Sequence, residues 1–331
     1  MDRDLIESCY RPAALKALES FPVEVKTVEL IAHSENVTFR VSVRGRNTDL
    51  VLRLHRPRYN SIEELNSERI WTRALKESGI SVQDSLLTRQ GQQFELVDIP
   101  GTDEQRYAGM TTWLEGMLLS EYLATSSDGE ERKRLFRRIG GIAAAIHNQS
   151  TLWKEPPGFK RRRLDLDGLL GEAPHWGRFW EHAELTKTEK ELLLRARERA
   201  RTALSAYGER PDNFSLIHAD LHPANIIYNE DDLALIDFDD SAYGWHMYEI
   251  ASALIEDRFL PGFAALRDAL LEGYLEHRPL AERDVDMLPD FLLLRGMAII
   301  GWLHQRPEHA GSGFFEEVKN WVIGECYANE S

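Results

Sequence analysis

Two short motifs joined by one hairpin's length of chain constrain this sequence more than any other part of it. His218–Asn225 reads HADLHPAN, and after nine further residues Leu235–Asp240 reads LIDFDD. Between them, Ile226–Tyr228 and Leu233–Ile236 have the apolar, β-branched character of strands, separated by a polar turn at 229–232. Phe214–Ile217 is a short apolar segment that enters the first motif. A hairpin of this length returns the chain to its start, so Asp237 is expected near Asn225, with Pro223 stiffening the loop that follows Asp220.

The three polar residues so assembled are two carboxylates and a carboxamide. A phosphoryl donor such as ATP arrives with magnesium (Mg2+), which needs hard oxygen ligands, and the reaction needs a carboxylate to orient the attacking hydroxyl and accept its proton. Asp220, Asn225 and Asp237 meet both needs. Each acid alone would ordinarily be a solvated loop carboxylate; the constellation makes the chain a candidate enzyme.

These motifs resemble the paired motifs of the aminoglycoside phosphotransferase and choline kinase-like superfamily, which includes stress response kinase A-like proteins. The resemblance implies an α+β, bilobal protein-kinase-like fold. Its N-lobe is an antiparallel β-sheet with one main helix, and its mostly helical C-lobe carries the catalytic hairpin. It also implies that Asp220 is catalytic, that Asn225 and Asp237 bind magnesium, and that His218 supports the loop. Asp239 and Asp240, with Gly244 and the helix start at Glu249, fit the same pattern. One acid of the doublet would steady the catalytic or metal-binding loops, while the other would touch the acceptor or cap the next segment.

The first hundred residues agree with a smaller lobe. Val25–Ile31, Val37–Val43 and Leu50–His55 read as strands, with a turn at 45–48. Ser61 and Glu64 then form a capping box, and Ile62, Leu65, Ile70, Trp71 and Leu75 give a helix one buried side. By resemblance, Arg53 stands where a phosphate-binding lysine is usual, and Glu68 where its helix partner is found; a solvent-facing strand residue and a solvated helix residue are the bland alternatives. Arginine is not interchangeable with lysine in geometry. No GxGxxG segment is present; the corresponding turn, 32–36, offers Ser34 and Asn36 for phosphate contact or for shaping the loop by local hydrogen bonds. Residues 108–116 resemble a hinge in which an adenine would meet main-chain groups from Thr112 through Trp113 to Leu114. The implied organisation is a nucleotide-binding lobe over 1–110, a hinge over 111–116 and a catalytic, acceptor-binding lobe over 117–331.

Beyond residue 117 the pattern is helical. Leu135, Ile139, Ile142 and Ile146 form a buried stripe, and His147 at its end is expected to be structural. Thr186 and Glu189 form a second capping box for a helix reaching about Ala206. Lys160–Arg163 is a cationic run, expected on a solvated face. Phe291–Leu303 is too short, and too interrupted by Arg295, to span a bilayer, and reads as a core helix.

Composition narrows the class. The formal net charge of −15 opposes binding to a nucleic-acid backbone. Two distant cysteines, Cys9 and Cys326, offer no metal spacing and suit a reducing cytoplasm, and the beginning of the sequence lacks a signal-peptide pattern. The expected partner is a small-molecule hydroxyl acceptor, with a protein substrate for a stress response kinase A-like Ser/Thr kinase as one alternative and a non-catalytic nucleotide-binding regulator as the other. Neither a nucleic acid nor a membrane is expected. The acceptor, the ATP or GTP preference and the oligomeric state are not written in the motifs.

Overall fold

The computed structural model describes residues 3–33, 35–230, 232–306 and 313–330. Contacts divide the chain into two compact units. The first is Met1–Leu119 with Glu155–Lys160 and Ile226–Asp239; the second is Ser120–Lys154 with Arg161–Asn225 and Asp240–Ser331. The α+β, protein-kinase-like class expected from the motifs is the observed one.

In the first unit, β-branched and aromatic residues form an antiparallel sheet in the order Val25–His33, Val37–Val43, Leu50–Leu54, Gln105–Thr112, Ser85–Leu86, with Phe94–Asp98 also paired to Gln105–Thr112. Val37, Phe39, Val41 and Val43 are buried while the residues between them are half-buried, the period of a strand with one covered face. That face packs with Leu50, Leu52 and Met110 onto Ala13, Ala14 and Ala17 of the helix Arg3–Leu18, an element the sequence reading did not contain.

The helix Ile62–Glu77 starts at the expected capping box. The Ser61 hydroxyl accepts from the Glu64 amide, and the Glu64 carboxylate accepts from the Ser61 amide. Leu65, Trp71 and Leu75 are buried, but Ile70 is 39% exposed, against expectation. The buried row runs through 65, 68, 72 and 75 at helical spacing and so takes in Glu68, leaving Ile70 off it. The hairpin is as read: Ile226–Asn229 pairs with Asp232–Leu235, with Ile226 opposite Leu235, and Met117–Leu118 adds a third strand.

The second unit holds a small sheet of Arg163–Leu164, Ala242–Trp245 and Phe214–Ile217. Phe214–Ile217 leads into His218, and Ala242–Trp245 leads out of Asp240. Helices Gly129–Leu152, Lys187–Tyr207, His246–Leu254, Phe263–Leu275, Leu288–His304 and Gly313–Ala328 make up most of the rest. His147 is fully buried, 2.8 Å from the Tyr274 hydroxyl through Nδ1, and its ring stacks on His246 at 4.0 Å, a structural position. Among the described residues no helix is long and apolar enough to cross a membrane.

Gly129–Leu152 and Phe263–Leu275 pack with their main chains in direct contact. A Cβ on Gly140 would overlap the Leu270 carbonyl, and one on Gly273 would overlap the Arg137 carbonyl. Gly140→Ala or Gly273→Ala is expected to destabilise the protein by about 1–3 kcal/mol, because the added methyl must push two backbones apart. Chemical denaturation checks this, and wild-type stability in both variants would refute the close packing.

Candidate active site

The loop that carries Asp220 is fixed first through its backbone. Ala219 is left-handed at φ +68, a conformation that costs an L-residue about 1–3 kcal/mol and persists only when its surroundings hold it. Glu249, fully buried at the start of the helix His246–Leu254, supplies that hold. Its two carboxylate oxygens accept from the amides of His218 (2.8 Å) and Ala219 (2.7 Å). Ser252 donates to the Ala219 carbonyl at 3.0 Å. Burial pushes the Glu249 carboxyl up to about 8 despite the two amide donors. His218 itself is fully buried.

Asp220 is then surrounded by donors. Arg295 Nη2 donates to Oδ1, His222 Nε2 lies 3.3 Å from Oδ2, and Asn225 Nδ2 donates to Oδ2 and to the Asp220 carbonyl, both at 2.9 Å. Burial opposes its ionisation, but the charges of His222 and Arg295 win and hold the carboxyl well below the usual range. His222 is in turn bracketed by Asp220 and by Glu256, whose Oε1 is 3.2 Å from Nδ1. Burial disfavours its charge, yet the two carboxylates push its pKa up to about 10. Arg295 extends to the Tyr248 hydroxyl at 3.3 Å and lies over the Trp176 ring at 5.5 Å.

Asp220 opens onto a cavity of about 200 Å³ with Asp240, His222, Glu256, Arg258 and Arg295 on its wall and Trp176 and Trp302 among its apolar lining. Asp240 is 3.9 Å from Arg162. Arg161 is buried and donates to the Ser241 carbonyl at 2.7 Å. These two members of the cationic run are therefore supports of the loop after the second motif and not a solvated face; only Arg163 is well exposed among the three.

In the first unit, Asp237 is left-handed at φ +63, and Arg53 donates to its Oδ1 at 2.8 Å. Arg53 is also 3.8 Å from Asp239. Asp239 is enclosed by Asn36 Nδ2 (2.5 Å), His55 Nδ1 (3.4 Å) and Arg53, and Asn60 donates to its carbonyl at 3.2 Å. Burial works against the charge of Asp239, but His55, Arg53 and Asn36 hold it well below the usual range. Asn36 also accepts from the Arg56 amide at 2.9 Å, so its side chain shapes the loop from both ends. Ser34 lies outside the described residues. Arg53, Glu68 and Asp237 line one pocket with Gln83 and Thr111; at about 20 Å³ it has room for a water and is not by itself an adenine site.

The Thr112 amide is bonded to the Asp84 carbonyl and its own carbonyl to Gln83, while the Trp113 amide bonds the Asp49 carbonyl. Arg40 lies over the Trp113 ring at 4.3 Å. The Thr112 amide and carbonyl and the Trp113 amide are thus already engaged within the fold. Among the described residues no three His, Cys, Asp or Glu side chains form a metal cluster. Magnesium does not require one, since it commonly keeps waters and takes one or two protein oxygens besides the phosphates. With its Nδ2 engaged by Asp220, Asn225 retains Oδ1, a hard acceptor suited to such an ion.

The profile of the Phosphotransferase enzyme family matches residues 27–284. The chain belongs to this family. Amicoumacin kinase of Bacillus subtilis (strain 168) is 26% identical over 310 residues, covering 90% of this chain and 85% of the kinase. Homoserine kinase of Agrobacterium fabrum is 32% identical over 202 residues, 59% of this chain and 55% of that protein. The structure of the microcompartment-associated aminopropanol kinase superimposes with a TM-score of 0.81 at 28% identity, covering 96% of this chain and 95% of the other. As a member of the phosphotransferase family this protein is an ATP-dependent kinase that transfers phosphate to a small-molecule hydroxyl.

Sequence reasoning about this phosphotransferase missed Arg295, Arg258, Glu256 and the clamp by Glu249. Arg295 was legible only as a charge interrupting an apolar helix, and that interruption was the signal. Because the His222 pKa is raised on folding, its contribution to stability is complete below its unfolded value of about 6.5 and is lost as pH rises through about 10. His222→Gln should therefore flatten the fall in thermal midpoint across that window; superimposable pH curves would show that the imidazolium is not held as described. Ala219→Gly should keep or raise the midpoint and Ala219→Val should lower it, and the reverse order in thermal melts would refute the left-handed clamp.

Proposed function

We propose that Asp220 receives the acceptor hydroxyl, that Asn225 and Asp237 are the magnesium ligands, and that Arg53, positioned with Glu68, meets the phosphates of ATP. His218 and Asp239 are supporting residues in this reading, and Asp240 belongs to the acceptor wall. The adenine is assigned to the 111–116 segment at the Leu114 main chain, with Thr112 and Trp113 shaping it. The organisation into a nucleotide-binding segment over 1–110 and a catalytic, acceptor-binding one over 117–331 follows from these roles. When bound, MgATP supplies the terminal phosphoryl group and the metal offsets its charge.

The observation that carries the reading is the environment of Asp220. A carboxylate held so far below its usual range is a weak base, so its task is to accept a hydrogen bond from the acceptor hydroxyl and aim the oxygen. It takes the proton only as the new oxygen–phosphorus bond forms and the hydroxyl becomes acidic. His222 and Arg295 hold the carboxylate in one orientation, which supports direct in-line transfer without a covalent enzyme intermediate. The cavity of about 200 Å³ beside Asp220 falls below the roughly 300–1,000 Å³ typical of drug-sized ligands. It favours a metabolite of the size of the amino alcohol and hydroxy amino acid named for the aminopropanol and homoserine kinases.

Asp220→Asn should lower acceptor-dependent ATP turnover roughly 100- to 10,000-fold while nucleotide binding persists. Coupled measurement of ADP release over a panel of hydroxyl compounds and a generic protein provides the test. Undiminished turnover in the variant would remove Asp220 from the reaction, and phosphorylation confined to protein would favour the Ser/Thr kinase alternative.

A further inference from the structure

The charged groups on the wall of the Asp220 cavity are unequally matched. Among the described residues its three carboxylates already face cations: Asp220 faces His222 and Arg295, Glu256 faces His222, and Asp240 faces Arg162. Among the described residues Arg258 has no such partner. Its Nη1 donates to the Ile255 carbonyl, while Nε and Nη2 are buried and make no hydrogen bond among the described residues. The guanidinium is fixed over the Phe259 ring at 3.8 Å and the Trp321 ring at 4.9 Å. Burial without an ion-paired carboxylate pulls its pKa down to about 10, although Glu317 and Glu256 favour the charge from a distance. Arg295 adds another buried N–H that makes no bond among the described residues, its Nε.

Buried donors left unpaired carry a desolvation cost that a ligand can relieve. An ammonium group entering this cavity meets carboxylates whose charge is already offset. An anion meets on the same wall a guanidinium, Arg258, whose charge no carboxylate among the described residues pairs at close range, and whose side chain is already held in place. A guanidinium is also suited to forked hydrogen bonds with a carboxylate or phosphate.

We propose that Arg258 recognises an anionic group on the acceptor, so that the substrate is a small hydroxyl compound bearing a carboxylate or phosphate in addition to its reacting hydroxyl. This rests on the kinase reading above and narrows its substrate class. Asp240 and Glu256 leave room for an amine on the same molecule but do not require one. Arg258 is then a specificity residue, ordered on the cavity wall by two aromatic rings.

The test uses the full chain, MgATP and acceptor sets that share a skeleton with and without the anion: homoserine, 4-hydroxybutyrate and 3-amino-1-propanol, together with glycerol 3-phosphate and glycerol. Wild type should favour the anionic member of a set through KM. Arg258→Gln should reduce that preference roughly 10- to 100-fold, Arg258→Lys should restore part of it, and KM for MgATP should stay where it was. A purely structural role would move all acceptors together and would not follow the charge of the side chain. The proposal is overturned if only anion-free members are phosphorylated, or if the variants leave the preference intact. It is also overturned if the variants raise KM for MgATP instead, which would make the donor's phosphates the anion Arg258 reads. Transfer to uncharged members alone would leave the kinase reading standing; no transfer to any hydroxyl compound would remove both.

Discussion

A single buried carboxyl, that of Glu249, sets the geometry on which the Asp220 loop depends. Glu249 fixes the amides of His218 and Ala219 while Ser252 fixes the Ala219 carbonyl, so the peptide groups on both sides of the left-handed Ala219 are held. The arrangement links a strand, Phe214–Ile217, to a helix, His246–Leu254, through hydrogen bonds among fully buried groups. Asp220 follows directly, so its position is inherited from the main chain before any side chain acts on it. His222 and Arg295 then determine what the carboxylate can do. Between two cations it is a strong acceptor of direction and a poor acceptor of protons, which suits a reaction whose attacking hydroxyl becomes acidic late.

The same division between framework and charge appears around Asp237 and Asp239. Arg53 is tied to both acids in the first unit, and Asn36, Asn60 and His55 close around Asp239. An arginine at this position can reach two carboxylates with its fork and still present N–H groups, which a lysine point charge would do with less directional control.

Much of the fold was legible because its signals are local. The capping boxes at Ser61 and Thr186, the alternation over Val37–Val43 and the turn between the hairpin strands each require only neighbouring residues. The helix Arg3–Leu18 was missed because its buried stripe is mostly alanine, Ala13, Ala14 and Ala17, and because it contains Pro12. Ile70 was misplaced because a charged residue, Glu68, took the buried row. In the site, Asp220, Asn225 and Asp237 announce themselves by spacing. Arg295, Arg258 and Glu256 do not, since they come from later segments whose meeting with the first motif is a fact of tertiary packing. Glu249 was visible as a helix start, but nothing in sequence tells a solvated helix-start acid from one that clamps a loop. The doublet at 239–240 could be read as two acids with different tasks; which faces Arg53 and which faces the cavity required the fold.

The glycine contact between Gly129–Leu152 and Phe263–Leu275 has a consequence for motion. Two helices that touch main chain to main chain, without a layer of side chains to change rotamer, cannot slide past each other by small repacking steps. They open together or stay closed. Their amides should accordingly form one cooperative block with the slowest hydrogen exchange in the second unit. His147 and Tyr274, one on each helix, are joined inside that block by their 2.8 Å hydrogen bond.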